Sequence, residues 1–230
     1  MRDLPQAVMI FAAGFGTRMQ HLTRDRPKPL IEVAGVPLID HTLALVRSIE
    51  PSAIVANLHY KAQQMERHLA SQGVGTVHEF PDILDTGGGL RNALPALGNG
   101  PVFTVNSDAI WSGPNPLNLL LEAWDSAEMD ALMMCVPVEN AVGSDSTGDF
   151  TMDGQGRLRR GAGWVYGGLQ IIKTDSLESF EQGAFSLNLV WDQMLDRNRL
   201  HGLSYPGRWC DVGHPGGIAL AEAVLRGDDV

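Results

Sequence analysis

The run Val8-Met9-Ile10-Phe11-Ala12-Ala13 is apolar at every position and passes directly into Gly14-Phe15-Gly16-Thr17-Arg18. A strand without polar alternation is one buried on both faces, the situation inside a parallel sheet covered by helices. That single run therefore directs the chain toward an α/β fold. The loop after it is chemically specific. Gly14 and Gly16 can turn sharply and bring backbone N–H groups against phosphate oxygens, while Thr17, Arg18 and Lys28 add a hydroxyl and two cations. This inventory suits a nucleoside triphosphate. It is neither a P-loop, which ends in Gly-Lys-Ser/Thr, nor a dinucleotide fingerprint, whose third glycine is missing.

The rest of the composition permits such a fold. The chain has 230 residues, 44% hydrophobic and 19% charged, enough for one large α/β domain spanning residues 1–230. Asp and Glu number 27 against 17 Lys and Arg, a net charge of −10, which argues against nucleic acid or an anionic membrane as partner. An anionic ligand must be held locally, and Arg18, Arg24, Arg26 and Lys28 cluster within eleven residues. Cys135 lies in an apolar run and Cys210 beside Trp209, so neither a disulfide framework nor a zinc site is indicated. Met1-Arg2-Asp3-Leu4-Pro5 does not open a signal peptide, and no apolar run is long enough to span a membrane, so a cytoplasmic protein is expected.

Strand and helix signals alternate along the chain. Extended segments are expected at 30–35, 53–57, 76–80, 102–105 and 130–138, with helices over 37–48, 61–70, 90–97 and 116–125. Asp85-Thr86-Gly87-Gly88-Gly89 reads as a loop before its helix. From residue 139 the texture changes. A polar loop over 139–149 precedes a hairpin signal at Asp153-Gly154-Gln155-Gly156, then a strand over 164–172, helical segments near 176–180 and 187–196, and a strand near 202–205.

Two acids stand where strands end. Asp108 closes Asn106-Ser107-Asp108 after an apolar strand, and Asp211 lies in Trp209-Cys210-Asp211-Val212-Gly213 before a helix opening near Pro215. Singly, each suits a capping role. Together, two carboxylates from separate strand ends suit Mg²⁺ when its remaining ligands are phosphate oxygens and water.

The chain resembles the sugar-1-phosphate nucleotidylyltransferases, whose signature is Gly-x-Gly-Thr-Arg followed about ten residues later by Pro-Lys-Pro-Leu. Here these are Gly14 to Arg18 and Pro27 to Leu30. The two Asp motifs match the same family, with Ser107 in place of its usual glycine. Within it, the Thr-Gly-Gly-Gly loop, Gly148-Asp149-Phe150, Gly183 to Leu187 and Tyr205 to Trp209 resemble the short N-acetylmuramate-1-phosphate uridylyltransferases. The mannose-1-phosphate guanylyltransferases are the nearest rival; a nucleotide-sensing module without transfer and a CTP-dependent phosphocholine transfer stay open as more distant alternatives.

The resemblance implies a single doubly wound, Rossmann-like, GT-A type mixed sheet flanked by helices, with a small β-hairpin insertion on the sugar side. It implies Arg18 and Lys28 as catalytic residues and Asp108 and Asp211 as ligands of Mg²⁺. Nucleotide contacts are expected from Ala12, Ala13, Gly14, Gly16, Thr17, Asn57, Thr86, Gly87 and Gly88. Sugar contacts are expected from Asn106, Asp149, Gly168 and Trp209, with Tyr166 and Gly167 as further candidates. The partners implied are a nucleoside triphosphate and a sugar 1-phosphate, on a monomer or small homo-oligomer. The lysine that many relatives use to hold the sugar phosphate has no counterpart here.

Overall fold

A computed structural model describes residues 3–228. β1 (Ala7–Phe11) leads through 3-10 turns at Thr17–Thr23 and Lys28–Leu30 to a short ribbon, β2 (Glu32–Val33) and β3 (Val36–Pro37). Then follow α1 (Leu38–Arg47), β4 (Ala53–Leu58), α2 (Ala62–Leu69), β5 (Gly75–His78) and α3 (Asp85–Leu97). The middle of the chain supplies β6 (Val102–Asn106), β7 (Ala109–Ser112), α4 (Pro116–Ala123), β8 (Ala131–Pro137) and β9 (Ala141–Val142). A hairpin of β10 (Phe150–Met152) and β11 (Leu158–Arg160) precedes the long β12 (Trp164–Ile172). The chain continues with α5 (Leu187–Asp196), β13 (Leu200–Ser204), β14 (Arg208–Asp211) and α6 (Gly216–Arg226).

The main sheet runs β5-β4-β1-β6-β12, and β12 carries β8 with β13 beyond it, and the β10–β11 hairpin at Trp164. β1 is parallel to β4 and β6, whereas β12 is antiparallel to β6 and β8, so the sheet is mixed, as expected. Alternate residues of β1 explain its unbroken apolar pattern. Val8 and Ile10 join the core beneath α1, α2 and α4, while Ala7 and Met9 join the opposite core beneath α3 and α5. Both faces are covered, and no position of the strand is left for a polar side chain.

Two elements differ from the sequence expectation. β7, between Asp108 and Pro114, joins β14 and β9 in a second, three-stranded sheet. This sheet brings the two acid-bearing segments together. The second difference is α3, which begins at Asp85 and takes Gly87, Gly88 and Gly89 into its first turns. Glycine is a poor helix former, so tertiary packing must be overriding propensity. The amides of Gly87 and Gly88 both donate to the Phe185 carbonyl, at 2.9 and 3.0 Å, and a Cβ on Gly88 would stand 2.6 Å from the Gly183 carbonyl. Only bare backbone lets α3 dock there.

Propensity alone would make Gly88→Ala stabilising by up to about 1 kcal/mol. Overlap with the Gly183 carbonyl reverses the sign, because forced overpacking costs about 1–3 kcal/mol. We expect a lowered urea midpoint at unchanged slope; a raised midpoint would show that the 183–185 segment yields freely.

Candidate active site

The phosphate loop is shaped by a glycine and closed by a lysine. Gly16 is left-handed, at φ 63°, and a Cβ on it would lie 2.9 Å from Lys28 Cβ, so neither its conformation nor its neighbour tolerates a side chain. Thr23 Oγ1 donates to the Gly16 carbonyl at 3.1 Å, and Tyr60 ties down the same turn by donating its hydroxyl to the Thr23 carbonyl at 2.9 Å. Lys28 is 8% exposed and its ammonium contacts Asp108 Oδ2 at 2.7 Å. Ala12, Gly14, Gly16, Thr17, Arg18, Lys28 and Asp108 all line one cavity of about 220 Å³. Arg24 and Arg26 are exposed and are not among its lining residues, so the basic groups of the cavity are Arg18 and Lys28.

The two acids meet through the second sheet. Asp211 pairs with Ala109, next to Asp108, and the Val212 amide donates to the Asp108 carbonyl at 2.9 Å. Burial pushes the Asp211 carboxyl above the usual range and the charge of Asp108 adds to this, while Lys28, Arg18 and His214 pull the other way. Two carboxylates brought side by side suit a divalent cation. No cluster of three or more His, Cys, Asp or Glu suited to a metal occurs among the described residues. A cation here must therefore complete its shell with phosphate and water, as Mg²⁺ does. Ser107 does not crowd the acids: its hydroxyl donates to the Phe11 carbonyl at 2.7 Å and joins the ends of β1 and β6.

A second cavity adjoins the first, sharing Phe11, Gly14 and Asp108 and adding Ala13, Asn57, Glu79, Ile83 and Thr86. Its wall is a buried relay. Asn57 Oδ1 accepts from the Ala12 amide at 2.8 Å, its amide nitrogen donates to Glu79 Oε1 at 2.6 Å, and Glu79 Oε2 accepts from the Leu84 amide at 2.7 Å. Glu79, 3% exposed, was not anticipated from sequence. Its only signal is a carboxylate directly after the end of β5, between His78 and Phe80. Of the expected nucleotide contacts, Gly87 and Gly88 need correction. They are buried against Phe185 and Gly183 and line none of the three cavities of the site, and their amides are already bonded to the Phe185 carbonyl.

A third, outer cavity of about 280 Å³ shares Phe11, Asp85, Thr86 and Asn106 with the second and extends over the hairpin and the start of α5. Asn106 and Asp149 line it, the latter accepting from the Tyr166 amide at 2.8 Å. Gly168 lies beneath the Asn106 side chain. Trp209 is the other correction. It is 5% exposed, donates its indole N–H to the Gly167 carbonyl at 3.0 Å and meets Trp111 edge to face. Its ring is core, with no face open to a sugar. Tyr166 and Trp191 are aromatic side chains that line this wall, 5.1 Å apart between ring centroids. Arg160 also lines it and was missed, since a cation closing a hairpin reads as solvated surface.

A glycine loop at the carboxyl end of β1, facing two cations and two carboxylates, defines a nucleotidyltransferase-type α/β protein. The MobA-like NTP transferase domain matches residues 8–147, and the chain belongs to that family. It is 37% identical to an N-acetylmuramate alpha-1-phosphate uridylyltransferase of Caulobacter vibrioides, over 98% of this chain and 99% of the relative. It is 31% identical to the protein of the same name from Neisseria meningitidis, over 94% and 96%. A mannose-1-phosphate guanyltransferase of Gibberella zeae is 29% identical, with 90% of this chain covering 60% of that protein. Among solved structures, HddC from Yersinia pseudotuberculosis has the same fold, with a TM-score of 0.77 at 21% identity over 96% of this chain and 99% of that one.

The Asn57 relay generates a prediction. Asn57→Asp keeps the shape but replaces the donor to Glu79 with a second carboxylate, leaving buried charge unpaired. Stability at neutral pH should fall by about 2–3 kcal/mol in urea unfolding. The deficit should shrink on acidification, as the carboxyl pair takes up a shared proton. A variant as stable as the parent would show the relay to be idle.

Proposed function

We propose that the protein transfers a uridylyl group from UTP to N-acetylmuramate 1-phosphate, releasing pyrophosphate and serving the reuse of cell-wall sugars in the cytoplasm. The observation that carries this reading is the meeting of Arg18, Lys28 and Asp108 in one cavity that adjoins a second and, through it, a third, with Asp211 beside Asp108. The substrate pair is supported by the two relatives of that name, each matched over nearly its whole length.

The reaction is an in-line displacement. An oxygen of the sugar 1-phosphate bonds to the α-phosphorus of UTP, the bond to the β-phosphate oxygen breaks, and its electron pair leaves with pyrophosphate. No general base is needed, because a phosphate monoester with a second pKa of about 6 is already mostly dianionic at neutral pH. Lys28 keeps two of its three ammonium donors free of Asp108 and directs them at phosphate oxygens. Arg18, at the loop, steadies the charge that develops as the leaving group departs. Mg²⁺ is the cofactor these acids fit: Asp108 and Asp211 would hold it, and it would neutralise charge on the reacting triphosphate. Ala13, Gly14 and the Asn57–Glu79 wall take the base, and Asn106 and Asp149 face the acceptor.

Pyrophosphate release should be greatest with UTP and N-acetylmuramate 1-phosphate in a matrix of four nucleotides against several sugar 1-phosphates and phosphocholine. A preference for GTP with mannose 1-phosphate would overturn the substrate pair but keep the chemistry. Silence across the matrix with intact nucleotide binding would favour a sensing module. Arg18→Ala and Lys28→Ala should each lose turnover about a hundredfold or more. Asp108→Asn and Asp211→Asn should abolish both metal-dependent turnover and nucleotide-dependent Mn²⁺ binding read by electron paramagnetic resonance. Unaltered Mn²⁺ spectra in either variant would remove that acid from the metal site.

A further inference from the structure

The outer cavity carries a cation that the transfer reaction does not use. Arg160, at the end of β11, is the one basic side chain lining it among the described residues, in company with Asp85 and Asp149. Its guanidinium is held in place on several sides. Nε and Nη2 both donate to Asp192 Oδ1, at 3.1 and 2.7 Å, and the group lies over the Phe150 ring at 5.0 Å and the Trp191 ring at 5.9 Å. Nη1 has no hydrogen-bond partner among the described residues. An arginine fixed by one carboxylate and two aromatic rings, with one nitrogen uncommitted, is prepared to receive an anion.

That anion is not the reacting phosphate. The phosphate must meet the triphosphate near Lys28 and Asp108, and the passage from there to the outer cavity is lined by Phe11, Asp85, Thr86 and Asn106. Arg160 lines only the outer cavity, on the side with Asp149, Tyr166 and Trp191. A sugar phosphate that reached both ends would need a second negative group on its ring, remote from the anomeric phosphate.

We infer that Arg160 is a specificity residue that binds a carboxylate carried by the acceptor sugar, and so selects a carboxylated sugar 1-phosphate over its neutral-ring counterpart. This rests on the acceptor proposed above. N-acetylmuramate is N-acetylglucosamine with one ring hydroxyl converted to a lactic acid ether, so the two 1-phosphates differ by the group in question alone. Asp192 orients the guanidinium, and the Phe150 and Trp191 rings support it from the cavity side.

The test compares kcat/KM for N-acetylmuramate and N-acetylglucosamine 1-phosphates in the parent, Arg160→Gln and Arg160→Lys. In the parent the carboxylated acceptor should lead by tenfold or more. Arg160→Gln should cut that ratio at least tenfold, chiefly through KM of the carboxylated acceptor, and Arg160→Lys should restore part of it. General damage to the fold would lower both acceptors together and leave the ratio standing. A strong parental preference that survives in Arg160→Gln overturns the assignment of Arg160 alone. A parental ratio near one overturns the proposed acceptor, and the assignment with it.

Discussion

The 2.7 Å contact between Lys28 and Asp108 is the constraint around which the site is built. It joins the returning arm of the phosphate loop to the end of β6 across 80 positions of sequence. The two side chains are 10% and 29% exposed, so both give up much of their hydration, and pairs so placed seldom improve on apolar residues as a source of stability. The pair is better understood as preorganisation: it holds a cation and an acid where a triphosphate must be gripped, before the ligand arrives. Gly16 follows from it, since the loop can pass the Lys28 stem only without a Cβ.

Around this contact the nucleotide end is made mostly of backbone and strand termini. Ser107 secures the ends of β1 and β6 to one another, and the Ala12–Asn57–Glu79–Leu84 relay secures the loop to β4 and to the entry of α3. Each of these groups is buried and hydrogen-bonded, the condition under which polar side chains in a core add rigidity rather than cost. The chain's net charge of −10 makes the local arrangement matter more. A triphosphate approaching an acidic protein finds local attraction in the cavity that Arg18 and Lys28 line.

What could be read from sequence was whatever rests on local pattern or on a spaced motif. β1, the hairpin around Asp153 to Gly156, β12 and α5 fall where periodicity and turn chemistry place them. Arg18, Lys28 and Asp108 share a cavity because the motif that carries them is a strand end, a loop and a second strand end. The misses are tertiary in origin. Three adjacent glycines look like a loop until a carbonyl 98 residues away, on Phe185, accepts the Gly87 amide and makes helix the better state. Trp209 looks available to a ligand until Trp111 and the Gly167 carbonyl enclose it. β7 is too short to announce itself, and its partner β14 lies about a hundred residues later.

The family match spans residues 8–147, which takes in the whole lining of the second cavity and every residue of the phosphate cavity except Gly213. Most of the outer cavity falls beyond it: Asp149, Phe150, Arg160, Tyr166 and the 186–191 stretch all come from the hairpin, β12 and α5. The division has a physical basis. Phosphates and their transfer chemistry are common to every nucleotidyl transfer, so the groups that grip them are fixed at the ends of the central strands. The acceptor differs from one reaction to the next, and in the proposed reaction it would meet side chains on a hairpin and a helix terminus, where substitution changes recognition without disturbing the sheet. On the proposed reading, selectivity for the second substrate falls to the part of the chain in which Arg160 stands on its aromatic support, and the chemistry to the part closed by Lys28.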